Sequence, residues 1–272
     1  MNKIAFAVVG VAIAMTALCV RAQGVPAGWA AKAPLPAPRF EVGVATLRGK
    51  LYVIGGNQAA ASEGRAVPVV EEYDPATDTW RARAPMPRGL DHIGVAVLGD
   101  KIVSVGGFTS SVHSGAQDKV FEYDPAKDSW RELAPLSKAR GSVAVAPLDG
   151  KIHAIGGRIS NPASRVGDHD IYDPRSDTWT SGPPLPTPRS GLAFTLYKGL
   201  IVVLGGELPP NTFAENEAFD PKANAWRTLA PMPQGRHATG AAVIGEKLYI
   251  AGGSLQPGRG QLTDQVLAFT LP

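Results

Sequence analysis

Five copies of one unit are written along this chain of 272 residues. Double glycines fall at Gly55-Gly56, Gly106-Gly107, Gly156-Gly157, Gly205-Gly206 and Gly252-Gly253. A tryptophan stands 26 positions ahead of the first glycine in every case: Trp29, Trp80, Trp130, Trp179 and Trp226. A period of about fifty residues marks a stacked or closed repeat architecture, in which each unit buries its apolar face against its neighbours. That periodicity constrains the fold far more tightly than it constrains a ligand.

The second unit shows how each copy folds. Ile93 to Leu98 is apolar and β-favouring, Gly99-Asp100 is a tight-turn pair, and Lys101 to Val105 is a second strand running into Gly106-Gly107. A polar loop from Phe108 to Asp118 precedes a third strand over Lys119 to Tyr123. Asp124 to Ser129 then turns the chain into Trp130, which opens a fourth strand. Short turns between short apolar runs predict consecutive hairpins, hence a four-stranded antiparallel sheet per unit. Beyond the leader, no stretch carries the period of a helix.

The same parts recur. Third strands end in Tyr73-Asp74-Pro75, Tyr123-Asp124-Pro125, Tyr172-Asp173-Pro174 and Phe219-Asp220-Pro221. An arginine leads into each first strand: Arg39, Arg88, Arg140, Arg189 and Arg236. Arg88 is out of step, and Leu90 holds the position aligned with the other four. Double glycine, aromatic-Asp-Pro and tryptophan in this order resemble the kelch repeat. The resemblance covers the chain from Trp29 onward. It implies an all-β fold, a five-bladed kelch-type β-propeller with the first strand of each blade innermost. Trp29 to Pro34 reads as a fourth strand without its first three, and Val266 to Leu271 as a third strand without a fourth. Pairing the N-terminal strand with the C-terminal strands would close the ring and remove exposed sheet edges. Five blades make a narrow ring, so a site is expected in a shallow mouth.

Residues 1–22 differ from the rest: Lys3, an apolar run from Ile4 to Val20, then small residues at Val20 and Ala22. They read as a secretory signal cut before Gln23, with a short leader over 23–28 and no stable membrane anchor. A periplasmic or extracellular location follows. The single cysteine, Cys19, lies in that signal, so the processed chain carries no disulfide. Loss of Lys3 and Arg21 leaves 25 basic against 24 acidic residues. With no basic block, nucleic acid is excluded as a partner, and a monomer is expected.

Most repeated residues read as scaffold. The glycines serve backbone geometry and close blade approach, since no helix follows them to cradle a phosphate. The turns Asp74 to Asp78, Asp124 to Asp128 and Asp173 to Asp177 read as caps for backbone N–H groups; calcium needs more oxygens than they offer. The histidines, His92, His113, His153, His169 and His237, show no metal-ligand spacing. His153 stands where the first unit has Tyr52, a packing position. No metal or cofactor is expected.

In an up-and-down propeller the loops before the first strand and after the second share one face, and variable loops there are where binding resides. The candidate ligand-binding residues are therefore Arg39, Arg88, Arg140, Arg158, Arg189 and Arg236, with His92 and His237 beside them. Guanidinium groups circling a mouth suit a carboxylate, a phosphate or an acidic peptide, and the ligand expected of a binding module is a carbohydrate or an acidic polypeptide. Because they recur in every unit, most of these arginines read as scaffold that ties adjacent blades, with one or two left to bind ligand. No Ser/His/Asp or Cys/His nucleophile set is evident, so a non-catalytic binding module is the leading expectation. Secreted bacterial kelch propellers are also similar to the sialate mutarotases, which implies a sugar isomerase with Glu207 as base, because in that family a glutamate follows a double glycine. The arginine that follows in the same loop of that family is missing between Leu208 and Glu215. A copper radical oxidase is excluded by the absence of a cysteine to cross-link.

Overall fold

A computed structural model describes residues 32–58, 65–110, 113–160, 166–257, 261–263 and 265–271. The chain divides into two compact units, Met1–Ala33 and Pro34–Pro272, and every described strand lies in the second. The leader, residues 23–28 and Trp29 fall outside the described residues.

Blade 1 runs β1 (Gly43–Leu47), β2 (Lys50–Ile54), β3 (Val70–Asp74) and β4 (Thr79–Arg83). Blade 2 has β5 (Gly94–Leu98), β6 (Lys101–Val105), a small hairpin β7 (Phe108–Ser110) and β8 (Ser114–Ala116), then β9 (Val120–Asp124) and β10 (Ser129–Leu133). Blade 3 is β11 (Ala144–Leu148), β12 (Lys151–Ile155), β13 (His169–Asp173) and β14 (Thr178–Ser181). Blade 4 contains β15 (Ala193–Tyr197), β16 (Leu200–Leu204), the short pair β17 (Glu207–Leu208) and β18 (Asn211–Thr212), β19 (Asn216–Asp220) and β20 (Ala225–Leu229). Blade 5 has β21 (Gly240–Ile244), β22 (Lys247–Ala251) and β23 (Val266–Phe269). The first four sheets are four-stranded and antiparallel in chain order, and the fifth is three-stranded among the described residues. Of the expected closing strand only residues 32–34 are described, and they form none. The protein is thus all-β in its described residues, in a five-bladed propeller arrangement.

The core lies between blades. Tyr52, Ile54 and Val70 of blade 1 pack with Ile102, Phe121 and Tyr123 of blade 2, and equivalent layers join each following pair. Indole N–H groups stitch the outer edges: Trp130 donates to the Ala84 carbonyl (2.9 Å), Trp179 to Ala134 (2.8 Å) and Trp226 to Pro183 (2.8 Å). The turn aspartates do what their spacing implied. Asp124 Oδ1 accepts from the Ala126 amide (2.9 Å), while Asp128 Oδ1 accepts from Tyr123 Oη and, across the joint, from the Ala84 amide (2.9 Å). These carboxylates cap backbone N–H groups.

Blade 3 departs from its siblings in one way. His153 Nδ1 and His169 Nε2 lie 2.8 Å apart; both rings pack on Phe219 of blade 4, and His169 also meets Trp226 edge-on. His169 Nδ1 is 3.1 Å from the Pro183 carbonyl, which fixes the proton on that nitrogen. Burial pushes both imidazoles down to about 4. An unfolded imidazole titrates near 6.5, so the unfolded chain binds more protons below that value and stability falls with pH across the window from about 6.5 to 4. Blade 2 carries Val103 and Val120 at the same two places. The double variant His153→Val/His169→Val is expected to flatten the loss, gaining about 5 kcal/mol over the native chain between pH 7 and 4.5. Urea unfolding at stepped pH reads this directly; parallel curves for the two proteins would refute it.

Candidate functional site

Every blade brings the same positions to one end of the ring. The residue after the leading arginine, or after Leu90, bridges to the residue after the double glycine: Phe40 with Asn57, Asp91 with Phe108, Gly141 with Arg158, Ser190 with Glu207, and His237 with Ser254. The next residue in each blade, Glu41, His92, Ser142, Gly191 or Ala238, takes a left-handed backbone with φ between 49° and 62°. For the four that are not glycine this conformation is strained, and main-chain bonds impose it. The His92 amide donates to the Glu41 carbonyl (3.1 Å), Ser142 to His92 (2.9 Å) and Ala238 to Gly191 (3.3 Å).

All five of these residues line a central cavity of about 890 Å³. Val42, Ile93, Val143, Leu192 and Thr239, one position further on, form a largely aliphatic collar inside it. Above the collar stand two polar walls. In the first, Asn57 Nδ2 donates to Asp91 Oδ2 (3.2 Å), and the fully buried Asp91 accepts from His92 Nδ1 (2.9 Å). That bond leaves His92 Nε2 to meet Glu41 Oε2 at 3.2 Å and His113 Nε2 at 3.1 Å. Burial first, and then the charge of Arg158, push His113 down to about 4, so it is neutral near pH 7. In the second wall, Arg158 Nη2 donates to Glu207 Oε1 and its Nε to Ser190 Oγ (2.9 Å). His237 Nε2 lies 3.0 Å from the Gln256 carbonyl and 3.5 Å from Glu207 Oε2. Among the described residues no group of three His, Cys, Asp or Glu side chains is arranged to hold a metal ion.

Comparison with known proteins agrees with this geometry. A model described as the KLHDC2/KLHL20/DRC7 Kelch-repeats domain matches residues 29–206, and a Kelch motif model matches residues 188–233. The chain belongs to the kelch-repeat family. Among curated relatives, Kelch-like protein 28 of Mus musculus is 36% identical over 84 residues, covering 29% of this chain and 15% of that protein. Kelch-like protein 35 of Mus musculus is 41% identical over 84 residues, covering 31% of this chain and 14% of the relative. The matched stretches thus span about a seventh of those relatives' length. The solved structure titled "Structure of YjhT" superposes with a TM-score of 0.77 at 19% identity, covering 89% of this chain and 85% of that one, which shows a shared fold. Kelch propellers serve as interaction modules, and a rigid ring with a walled mouth suits that role.

Within the kelch scaffold, four of the five leading arginines are the supports that their recurrence favoured, and their candidate place around the mouth is corrected. The side chains of Arg39, Arg140, Arg189 and Arg236 are fully buried, and none lines the cavity. Each returns to the carbonyl of its own first glycine: Arg39 to Gly55 (2.9 Å), Arg140 to Gly156 (3.1 Å), Arg189 to Gly205 (2.5 Å) and Arg236 to Gly252 (3.2 Å). Three also meet a buried carboxylate, in the pairs Arg39–Glu71, Arg140–Asp170 and Arg189–Glu217. Arg88 is exposed, bonds Gln117, and also stays out of the lining. Arg158, His92, His237 and Glu207 do converge on the cavity. Glu41, Asp91, His113, Ser190 and Ser254 were not anticipated. Apart from His113, which lies in a variable loop, their common signal was a fixed offset from the leading residue or the double glycine, a pattern masked because the residue type changes from blade to blade.

Arg236 is the exception among the buried arginines. Its blade has Leu267 where blade 1 has Glu71, so it contacts the neutral Gln265 Oε1 (2.9 Å) in place of a carboxylate. Burial alone pulls its pKa below the usual range. Breaking a buried pair strands its partner's charge, at about 3–5 kcal/mol, whereas removing an uncompensated cation costs far less. Arg189→Leu is therefore expected to destabilise by about 3–5 kcal/mol and Arg236→Leu by under about 1.5 kcal/mol. Denaturant midpoints would settle it, and equal losses would count against the clamp.

Proposed function

We propose that this chain is an exported, non-catalytic kelch module that takes a neutral, hydroxyl-rich ligand of the carbohydrate class in its mouth. The lining of the roughly 890 Å³ cavity carries the reading: all five blades contribute, with polar walls above an aliphatic collar. Pockets of this kind orient a ligand by a few polar groups while apolar surface supplies contact area. Sugar hydroxyls can donate to Glu41 and to the imidazoles, while C–H faces rest on Phe40, Val42 and Ile93.

An acidic polypeptide is the weaker fit. Its support was a ring of arginines, and among the described residues the one arginine in the lining, Arg158, is committed to Glu207. Glu41 and Glu207 outnumber it among those residues. The same ion pair stabilises Glu207 as a carboxylate, which suits an acceptor of hydrogen bonds better than a base that takes a proton. Export rests on the apolar leader over residues 1–22.

Saturation-transfer NMR and calorimetry with maltotriose, cellotriose and trigalacturonate test the reading. A neutral trisaccharide is expected to bind, with affinity lowered about three- to tenfold by Glu41→Gln and changed less than about twofold between ~0.05 and ~0.5 M salt. Failure of every neutral probe, or salt-sensitive preference for trigalacturonate, would overturn it.

A further inference from the structure

One of the five equivalent left-handed positions carries no side chain. Glu41, His92, Ser142 and Ala238 fill theirs, while Gly191 leaves its place vacant. A Cβ there would lie 3.6 Å from Glu207 Cγ and 3.7 Å from His237 Nδ1. Those are ordinary contact distances, so the space a side chain would fill is open ground directly over Glu207 and His237. Glycine relieves backbone strain here, yet the turn does not require it, because the other blades hold the same turn with φ of 49° to 55° using four different residues.

The chemistry of the floor is set by hydrogen bonds already made. His237 Nε2, 3.0 Å from the Gln256 carbonyl, must carry a proton to bond it. In the neutral ring Nδ1 is then an acceptor, and no described residue donates to it. Ser254 Oγ donates to the same Gln256 carbonyl (2.6 Å), so it too turns lone pairs outward. Beside them, the Glu207 carboxylate is balanced by the Arg158 guanidinium. The recess thus offers acceptors without an uncompensated charge. It asks for a hydrogen-bond donor that is itself neutral, a hydroxyl and not an ammonium or a carboxylate.

We propose that Gly191 opens a subsite in which His237 Nδ1 and the Glu207 carboxylate receive a hydroxyl of a neutral saccharide, so that position 191 determines which ligands fit. The inference rests on the carbohydrate reading of the mouth. Gly191→Ala fills the recess with one methyl group on a backbone that Ala238 already tolerates in blade 5. It is expected to weaken maltotriose or cellotriose binding about tenfold, the equivalent of one lost hydrogen bond. His237→Phe, which keeps the ring and removes the acceptor, should do the same. Thermal melts check that both variants fold. A long-range 15N–1H spectrum of the native chain should show His237 protonated on Nε2, as it also should in Gly191→Ala. Native binding that survives both variants with folding intact would overturn the recess and leave the mouth reading standing. A proton found on Nδ1 alone would overturn the acceptor role. Absence of binding by any neutral trisaccharide to the native chain would overturn both.

Discussion

Each of the four described joints between neighbouring blades rests on a glycine amide that donates to a carbonyl of the next blade. Gly56 donates to Leu90, Gly107 to Arg140, Gly157 to Arg189 and Gly206 to Arg236, at 2.8 to 3.2 Å. The approach is close enough that a Cβ on the first glycine of a pair would sit 2.2 to 2.9 Å from that same carbonyl oxygen. Both glycines also take positive φ, from 58° to 118° across the five pairs. No other residue meets both conditions. The leading residue of one blade is therefore bound twice: its carbonyl receives the preceding blade, and, where it is arginine, its side chain grips the glycine carbonyl of its own blade. The residues that build the mouth follow immediately on both sides of this joint, so their positions are inherited from it.

Blade 2 shows that the arginine is one solution among others. There Leu90 replaces the arginine, and Phe121 stands where blade 1 has Glu71. Both are buried in the same apolar layer. An ion pair has been exchanged as a unit for two packed hydrophobic side chains, a swap that is commonly neutral or favourable because it removes two desolvation costs at once. Blade 5 has made half of that change, keeping Arg236 and losing the carboxylate. The joint tolerates either complete arrangement because the glycine amide, common to all of them, makes the connection.

Periodicity made the scaffold legible. The blade count, the four-strand plan, the capping role of the turn aspartates and the packing role of His153 all follow from residues that recur at fixed spacing. Recurrence also separates support from site, since a residue repeated in every unit serves what every unit needs. Four of the five leading arginines are buried supports. Arg158 occurs once after a double glycine, and among the described residues it is the arginine that reaches the cavity. Sequence spacing also could not convey that Glu207 meets an arginine from the preceding blade. The partner absent from its own loop is supplied across the joint by Arg158, 49 residues earlier and one repeat away.

The mouth therefore owes its shape to the frame and its chemistry to departures from it. Main-chain bonds running from Glu41 to His92 to Ser142, and from Gly191 to Ala238, hold the rim residues whatever their side chains. With the backbone fixed in this way, the side chains at those positions are free to differ, and they do: a carboxylate, an imidazole, a hydroxyl, a hydrogen and a methyl. Blades 1 and 2 build one wall around Asp91 and His92, while blades 3, 4 and 5 build the other around Arg158, Glu207 and His237. Such walls need no rearrangement to receive a ligand, because strand and joint geometry have already set their spacing. A pseudo-fivefold frame can in this way present a site with no symmetry, and substitutions at the rim can change what is bound without disturbing how the blades join.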